Sequence, residues 1–197
     1  MQRLVVATHN AHKTGEFRAM LAGLFDPVLD LTAFPEIPQP VEDGKTFEAN
    51  ATIKALHTAR RLPEALVLAD DSGLEVDALR GAPGVQSARY AGPAATDALN
   101  REKLLHELAG TEHRDARFRC VLVLARGEEV LQLCSGAVEG RIVDAARGSG
   151  GFGYDPLFVP DGYEETFAEL PAEVKHGISH RGRALAKLRE LLGAASA

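Results

Sequence analysis

Cysteine is scarce, at 2 residues in a chain of 197. Two cysteines build no disulfide framework, and no Cys or His cluster has zinc-ligand spacing, so neither staple is expected. A reducing cytoplasm is the compartment this composition predicts. Net positive charge is also lacking, since 22 Lys and Arg against 28 Asp and Glu leave −6. That sign excludes a general nucleic-acid coat and a membrane-surface protein, but not a small phosphorylated substrate in a local basic pocket. No apolar run approaches the ~20 residues of a spanning helix. The short run from Leu4 to Ala7 carries no signal-peptide pattern and reads as a first strand. No repeat, low-complexity tract or linker is present; the Ala-rich end from Gly193 to Ala197 reads as a frayed tail. What is there is ordinary for a globular chain: 45% hydrophobic and 25% charged residues. One domain over residues 1–197 is predicted, large enough to bury roughly 70% of its unfolded surface.

The chain alternates apolar strands with amphipathic helices early on, which favours an α/β architecture with a buried central sheet. Strands are predicted over Arg3–Thr8, Val28–Thr32 and Ala65–Ala69, the last ended abruptly by Asp70-Asp71-Ser72-Gly73. A helix is predicted from about His12 to Leu24, with Phe17, Met20, Leu21 and Leu24 on one face. A loop with three prolines spans Phe34–Gly44. Thr46 then caps a helix to about Arg61. Further on, a helix is expected over Thr96–Ala109 and a β-hairpin over Arg117–Ala125 and Val130–Val138. A separate strand over Gly140–Val143, a glycine-rich loop over Gly148–Asp155 with Pro156 barring a helix, and a last helix over His180–Leu192 complete the reading. Cys120 and Cys134, seven residues either side of Gly127, could face each other across the hairpin. Two reduced core residues is the simpler reading.

Five constellations could carry chemistry. Thr8-x-Asn10-x-x-Lys13 stands at a strand-to-helix junction, where backbone N–H groups, the helix dipole and a lysine favour an anion. A helix cap with a solvated lysine is the plainer alternative, and the phosphate-binding G-x-x-x-x-G-K-[ST] loop is absent. Asp70-Asp71 follows an apolar strand, at the end where α/β sheets bind ligands. Neighbouring side chains of an extended backbone point oppositely, so one carboxylate faces the site and could ligate Mg²⁺. An Asx turn closing the strand is the alternative. Gly148 to Asp155 formally contains G-x-G-x-x-G, but Asp155-Pro156 follows where a helix should begin. A backbone that approaches a ligand closely, with Phe152 or Tyr154 against a base, fits better. Lys175-His176-Gly177-Ile178-Ser179-His180-Arg181 could read a base edge or pair with phosphate, or be a solvated basic run. Lys54 falls among Phe47, Ala51, Ala55 and Thr58, and either snorkels or reaches phosphates or acids. Together these groups supply a phosphate cradle, an acid pair, a base platform and a base-edge reader, an inventory that fits a nucleoside triphosphate.

The ordered blocks Thr8-x-Asn10-x-x-Lys13, Thr46-Phe47-Glu48-x-Asn50-Ala51, Ala69-Asp70-Asp71-Ser72-Gly73-Leu74, Gly81-x-Pro83-Gly84-x-x-Ser87-Ala88-Arg89-Tyr90, Gly151-Phe152-Gly153-Tyr154-Asp155-Pro156 and Ser179-His180-Arg181 resemble the inosine/xanthosine triphosphate pyrophosphatase family from about residue 3 to 192. The resemblance implies a mixed α/β fold with an elongated sheet flanked by helices, two lobes around a nucleotide cleft, and a homodimer. It implies cleavage of ITP, dITP or XTP at the α–β phosphoanhydride to monophosphate and pyrophosphate, with Mg²⁺ required. By matching motifs, Thr8, His9, Asn10, Ala11, His12 and Lys13 would hold substrate, with Ser72 beside them. Asp71 would be proton acceptor and metal ligand. Phe152, Gly153, Tyr154, Asp155, Lys175, His180 and Arg181 would surround the nucleotide. Glu42 is the expected second acid at the metal, with Glu36 its rival. His9 and Gln86 depart from the family pattern, leaving loop details open. A related septum-inhibition type of pyrophosphatase and a nucleotide-binding module without turnover are the rivals. The Phe152–Asp155 and His180-Arg181 blocks oppose the first, and Asp70-Asp71 with Lys13 opposes the second.

Overall fold

The computed structural model describes residues 2–194; residues 195–197 of the predicted tail lie outside them. In chain order the elements are β1 (Gln2–Val6), α1 (Ala11–Leu21), β2 (Phe25–Asp30), α2 (Phe47–Ala59), β3 (Leu66–Val76), α3 (Asp97–Glu107), β4 (Asp115–Arg126), β5 (Glu129–Ile142), β6 (Phe158–Pro160), α4 (Ala172–Ile178) and α5 (His180–Ala194). The strands form a six-stranded sheet in the order β2-β1-β3-β4-β5-β6. β1 lies parallel to β2 and β3, the pairing that a helical crossover such as α1 or α2 imposes. β5 and β6 are antiparallel, so the sheet is mixed.

The chain divides into two compact units. Unit 1 comprises residues 1–71, 120–135 and 184–197, and its core is built from Leu4, Val6, Phe17, Leu21, Leu66, Leu68, Leu122 and Leu185. Phe17 and Leu21 stand one helical turn apart and are fully buried, each contributing ~1.5–3 kcal/mol of apolar burial. Unit 2 comprises residues 72–119 and 136–183. Its core gathers Leu74, Val76, Leu104, Phe118, Tyr154, Phe158 and Phe167, with Phe118 edge-on to Phe158 at 4.8 Å.

Four expectations need correction. α1 ends at Leu21, and Leu24 is exposed rather than on the buried face. β3 does not stop at Asp70: it runs on to Val76, because Leu74 and Val76 bury completely and both aspartates find cationic partners inside the fold. Gly140–Val143 is no separate strand, since β5 continues without a break to Ile142. Between the loop after β6 and α5 lies a short helix, α4, where the sequence predicts no element. Pro156 sits inside a single 3₁₀ turn over Asp155–Leu157. Thr46 caps α2 as expected, accepting from the Ala49 N–H, and Thr96 likewise caps α3, accepting from the Leu99 N–H. Both cysteines are buried, and neither is in a disulfide.

Candidate active site

The junction of β1 and α1 is organised by its own side chains. Thr8 Oγ1 accepts from the Asn10 N–H at 3.1 Å, and Asn10 Oδ1 accepts from the N–H groups of His12 and Lys13 at 3.0 and 3.2 Å. Asn10 is therefore the helix cap, and it occupies two of the N–H groups expected to be open to an anion. His9, Asn10, Ala11 and His12 are exposed, while Thr8 and Lys13 are half-buried. His9 Nδ1 faces Gln39 Nε2 at 3.2 Å. Lys13 is not the solvated lysine of the plainer reading: its Nζ donates to Asp70 Oδ1 at 2.5 Å, and the Asp70 side chain is 1% exposed. Cys120 Sγ lies 3.6 Å from the other oxygen of that carboxylate.

Asp70 and Asp71 are consecutive on β3, so their side chains leave the strand in opposite directions. Each meets a lysine from a different helix. Asp71 Oδ1 accepts from Lys54 Nζ of α2 at 2.7 Å, and the same ammonium stands 3.1 Å from Glu42 Oε2. Lys54 thus reaches acids, which explains its place on an otherwise apolar face. Glu36 is exposed. Asp71 Oδ2 is buried with no hydrogen-bond partner among the described residues. Burial pushes the Asp71 carboxyl above the usual carboxylate value, against the downward pull of Lys54 and Lys13. Burial also acts to lower the Lys54 ammonium, but the carboxylates of Asp71, Asp70 and Glu42 outweigh it and hold the amine above its ordinary value.

Among the described residues no group of three or more His, Cys, Asp or Glu is disposed to hold a metal. Mg²⁺ does not require one: it takes one or two protein carboxylates and fills its shell with water and phosphate oxygens. The partnerless Asp71 Oδ2 and the Glu42 carboxylate, gathered on one ammonium, fit that donor set.

In unit 2 the glycine-rich loop is held from within. Asp155 Oδ2 accepts from the Phe152 N–H and from Lys175 Nζ, both at 2.8 Å. Gly151 is obligatory there, because a Cβ on it would occupy the place of the Asp155 carboxylate. Lys175 is buried on α4 with its ammonium 5.2 Å from the Phe152 ring centroid. Arg181, at the start of α5, is 1% exposed. It donates to Ser72 Oγ at 3.0 Å, and its guanidinium carbon lies 5.9 Å from the Phe152 ring centroid. His180 is buried and stacks on Phe118 at 4.8 Å. Lys175, His180 and Arg181 are thus not a solvated basic run. Of the two aromatic candidates for a base platform, Phe152 is half-buried. Tyr154 is part of the core, its hydroxyl donating to the Ser87 carbonyl at 2.9 Å.

Sequence reasoning overlooked Asp97 and Arg101, which meet the main chain of Gly153 in this loop. Their signal was an acid and a base four apart on a helix, but nothing in it points to a loop more than fifty residues away. Asp70 stands out in the sequence, but its pairing with Lys13 depends on the fold.

The chain matches the model of the Ham1 family over residues 4–191. It is 51% identical to a dITP/XTP pyrophosphatase of Geobacter sulfurreducens over 195 residues, 98% of each chain. It is 50% identical to one of Desulfotalea psychrophila over 186 residues, 94% of this chain and 83% of the relative. Among solved structures, a HAM1 protein from Coxiella burnetii superposes with a TM-score of 0.88 at 42% identity, covering 98% of this chain and 100% of the other. The Staphylococcus aureus Ham1 protein gives 0.87 at 38% identity with the same coverage. With a family model spanning nearly the whole sequence and half-identical relatives of matching length, the chain belongs to the Ham1 family.

Proposed function

We propose that this chain hydrolyses nonstandard purine nucleoside triphosphates, ITP, dITP and XTP, to the nucleoside monophosphate and pyrophosphate, keeping them out of DNA and RNA. The names of its half-identical relatives support the substrate class. The observation that carries the chemistry is the Asp71 carboxylate, with one oxygen on Lys54, the other buried without a partner, and its proton affinity raised by burial. A general base must sit near its proton and bind it well enough to take it in the transition state. The Asp71 carboxylate is the acceptor for the proton of the attacking water. Lys54, held protonated by its acids, and Lys13, held in place by Asp70, offer fixed positive charge to the phosphate oxygens as the anhydride breaks.

Mg²⁺, held by Asp71 and Glu42, would supply charge neutralisation on the phosphate chain. The Thr8–Lys13 segment would take the triphosphate with Ser72. Phe152 would stack on the purine, with Gly153, Tyr154 and Asp155 shaping its loop. Lys175, His180 and Arg181 present mostly donors, which suits the C6 carbonyl of hypoxanthine and xanthine and opposes the amino group of adenine. The same reading takes the enzyme as a cytoplasmic homodimer. Its buried cysteines, neither in a disulfide, fit a reducing compartment, among the described residues no helix is long and apolar enough to cross a membrane, and the dimer rests on the family resemblance.

The test is incubation of the purified protein with ITP and Mg²⁺, with separate assays for pyrophosphate and orthophosphate. Pyrophosphate and IMP in equal amounts are expected. Orthophosphate as first product, or equal kcat/KM for ITP and ATP, overturns the proposal.

A further inference from the structure

Gly153 follows Phe152 directly and has φ +62°, a left-handed conformation natural to glycine. Both of its main-chain polar groups are held by one helix. Its N–H donates to Asp97 Oδ2 at 2.7 Å, and its carbonyl accepts from Arg101 Nη1 at 2.7 Å. An acid and an arginine four residues apart on a helix can pair with one another along its surface. Here both instead reach the same glycine, 56 and 52 residues further along the chain. Each bond has one ionised partner, which places it in the stronger class of hydrogen bond.

The helix is a firm base for this clamp. Asn100, between the two residues, is buried; it donates to the carbonyls of Ser87 and Ala88 and accepts from the Ala91 N–H at 2.7 Å. One residue before Gly153, the Phe152 N–H is held by Asp155. The backbone of Phe152 is therefore pinned at its own amide and at both polar groups of the next residue. That fixes the direction in which the Cα–Cβ bond of its half-buried ring leaves the chain.

We infer that Asp97 and Arg101 are positioning residues that fix the Phe152 ring for the purine and so set affinity for the base half of the nucleotide. This rests on the reading of Phe152 as the base platform. Neither residue is given contact with substrate. Their effect passes through the Gly153 peptide, so it falls on binding of the base and spares the groups that meet the phosphates.

The experiment separates the two halves of the substrate through its products. Inhibition constants for IMP and for pyrophosphate are measured, with KM and kcat for ITP, in Arg101→Ala, Arg101→Lys, Asp97→Ala, Asp97→Asn and Phe152→Ala. Each alanine variant of the clamp should raise the IMP constant and the ITP KM about tenfold, the scale of losing one charge-assisted hydrogen bond. The pyrophosphate constant should stay put and kcat should change little. Arg101→Lys and Asp97→Asn, which keep a donor or an acceptor, should recover most of the loss. A purely structural role would instead lower kcat and thermal stability and show no such division. If Phe152→Ala raises the IMP constant while Arg101→Ala and Asp97→Ala leave it unchanged, the clamp is overturned and the platform survives. If Phe152→Ala itself leaves it unchanged, the platform reading fails and the clamp falls with it. Where Arg101→Ala does not fold, Arg101→Lys and Asp97→Ala, each sparing the other half of the clamp, decide the question in the same way.

Discussion

Replacing Asp71 with asparagine separates catalysis from stability. The swap is nearly isosteric, and the amide oxygen can still accept from Lys54 Nζ, which now stands 2.7 Å from Asp71 Oδ1. What is lost is the negative charge and the proton-accepting oxygen. Loss of a general base alone is worth ~10²–10⁴-fold in turnover, or about 3–6 kcal/mol in the barrier at ~1.4 kcal/mol per factor of ten. Stability should move the other way or not at all. A carboxyl whose pKa is raised by folding favours the folded state when protonated, and that advantage disappears as pH rises through the raised pKa. Above that raised pKa the folded protein bears the cost of an ionised, buried Asp71, and the neutral amide relieves it. Lys54 keeps Glu42 at 3.1 Å, so its charge is not stranded. The assays are pyrophosphate release from ITP and thermal melting of the metal-free protein at pH 7. Turnover within tenfold of the parent refutes Asp71 as the base. A fall in Tm beyond about 4 °C, the upper shift that 1 kcal/mol produces in a chain of this size, refutes the burial argument.

Lys13→Ala should weaken ITP binding and slow cleavage together. It should also destabilise the fold by ~3–5 kcal/mol, because it strands the buried Asp70 carboxylate; adding Asp70→Asn should restore the Tm and leave activity low, and a lone loss of stability with normal kinetics would remove Lys13 from the site. The parent protein should prefer ITP, dITP and XTP over ATP by ~10²–10⁴-fold in kcat/KM through unpaired donors facing adenine, with GTP the better of the two ordinary purines. Arg181→Ala should narrow the ITP-to-ATP ratio even though loss of so buried a side chain lowers Tm, and an unchanged ratio counts against Arg181 as a base reader. Asp30 is pulled by burial toward a raised pKa, but hydrogen bonds from Thr32 and Thr14 outweigh this and hold it below its ordinary value. Its contribution is therefore present above the ordinary carboxylate pKa and lost as pH falls through the lowered one. Melting curves across pH should show Asp30→Asn less stable than the parent at neutral pH and equal to it in acid, and a gap that persists in acid would remove that assignment.

Much of this protein was legible in one dimension because its signals are local. Periodicity located α1, α2, α3 and the β4–β5 hairpin, and side-chain chemistry located Thr46 as the cap of α2, since a cap bonds only two or three residues along. Ordered motifs identified the family and so most of the candidate site. Tertiary structure decided what depends on partners far along the chain. β3 runs through Asp70-Asp71 because Lys13 and Lys54, from two different helices, neutralise carboxylates that would otherwise end a buried strand. Glu42 rather than Glu36 lies on Lys54, a matter of how a proline-rich loop folds back and not of its composition. Lys175, His180 and Arg181 read equally well as a solvated run. Only the aromatic rings, Asp155 and Ser72 packed against them make them buried cations. The hold of Asp97 and Arg101 on Gly153 left no trace in the sequence, because a hydrogen bond to a main-chain group places no demand on which side chain stands there.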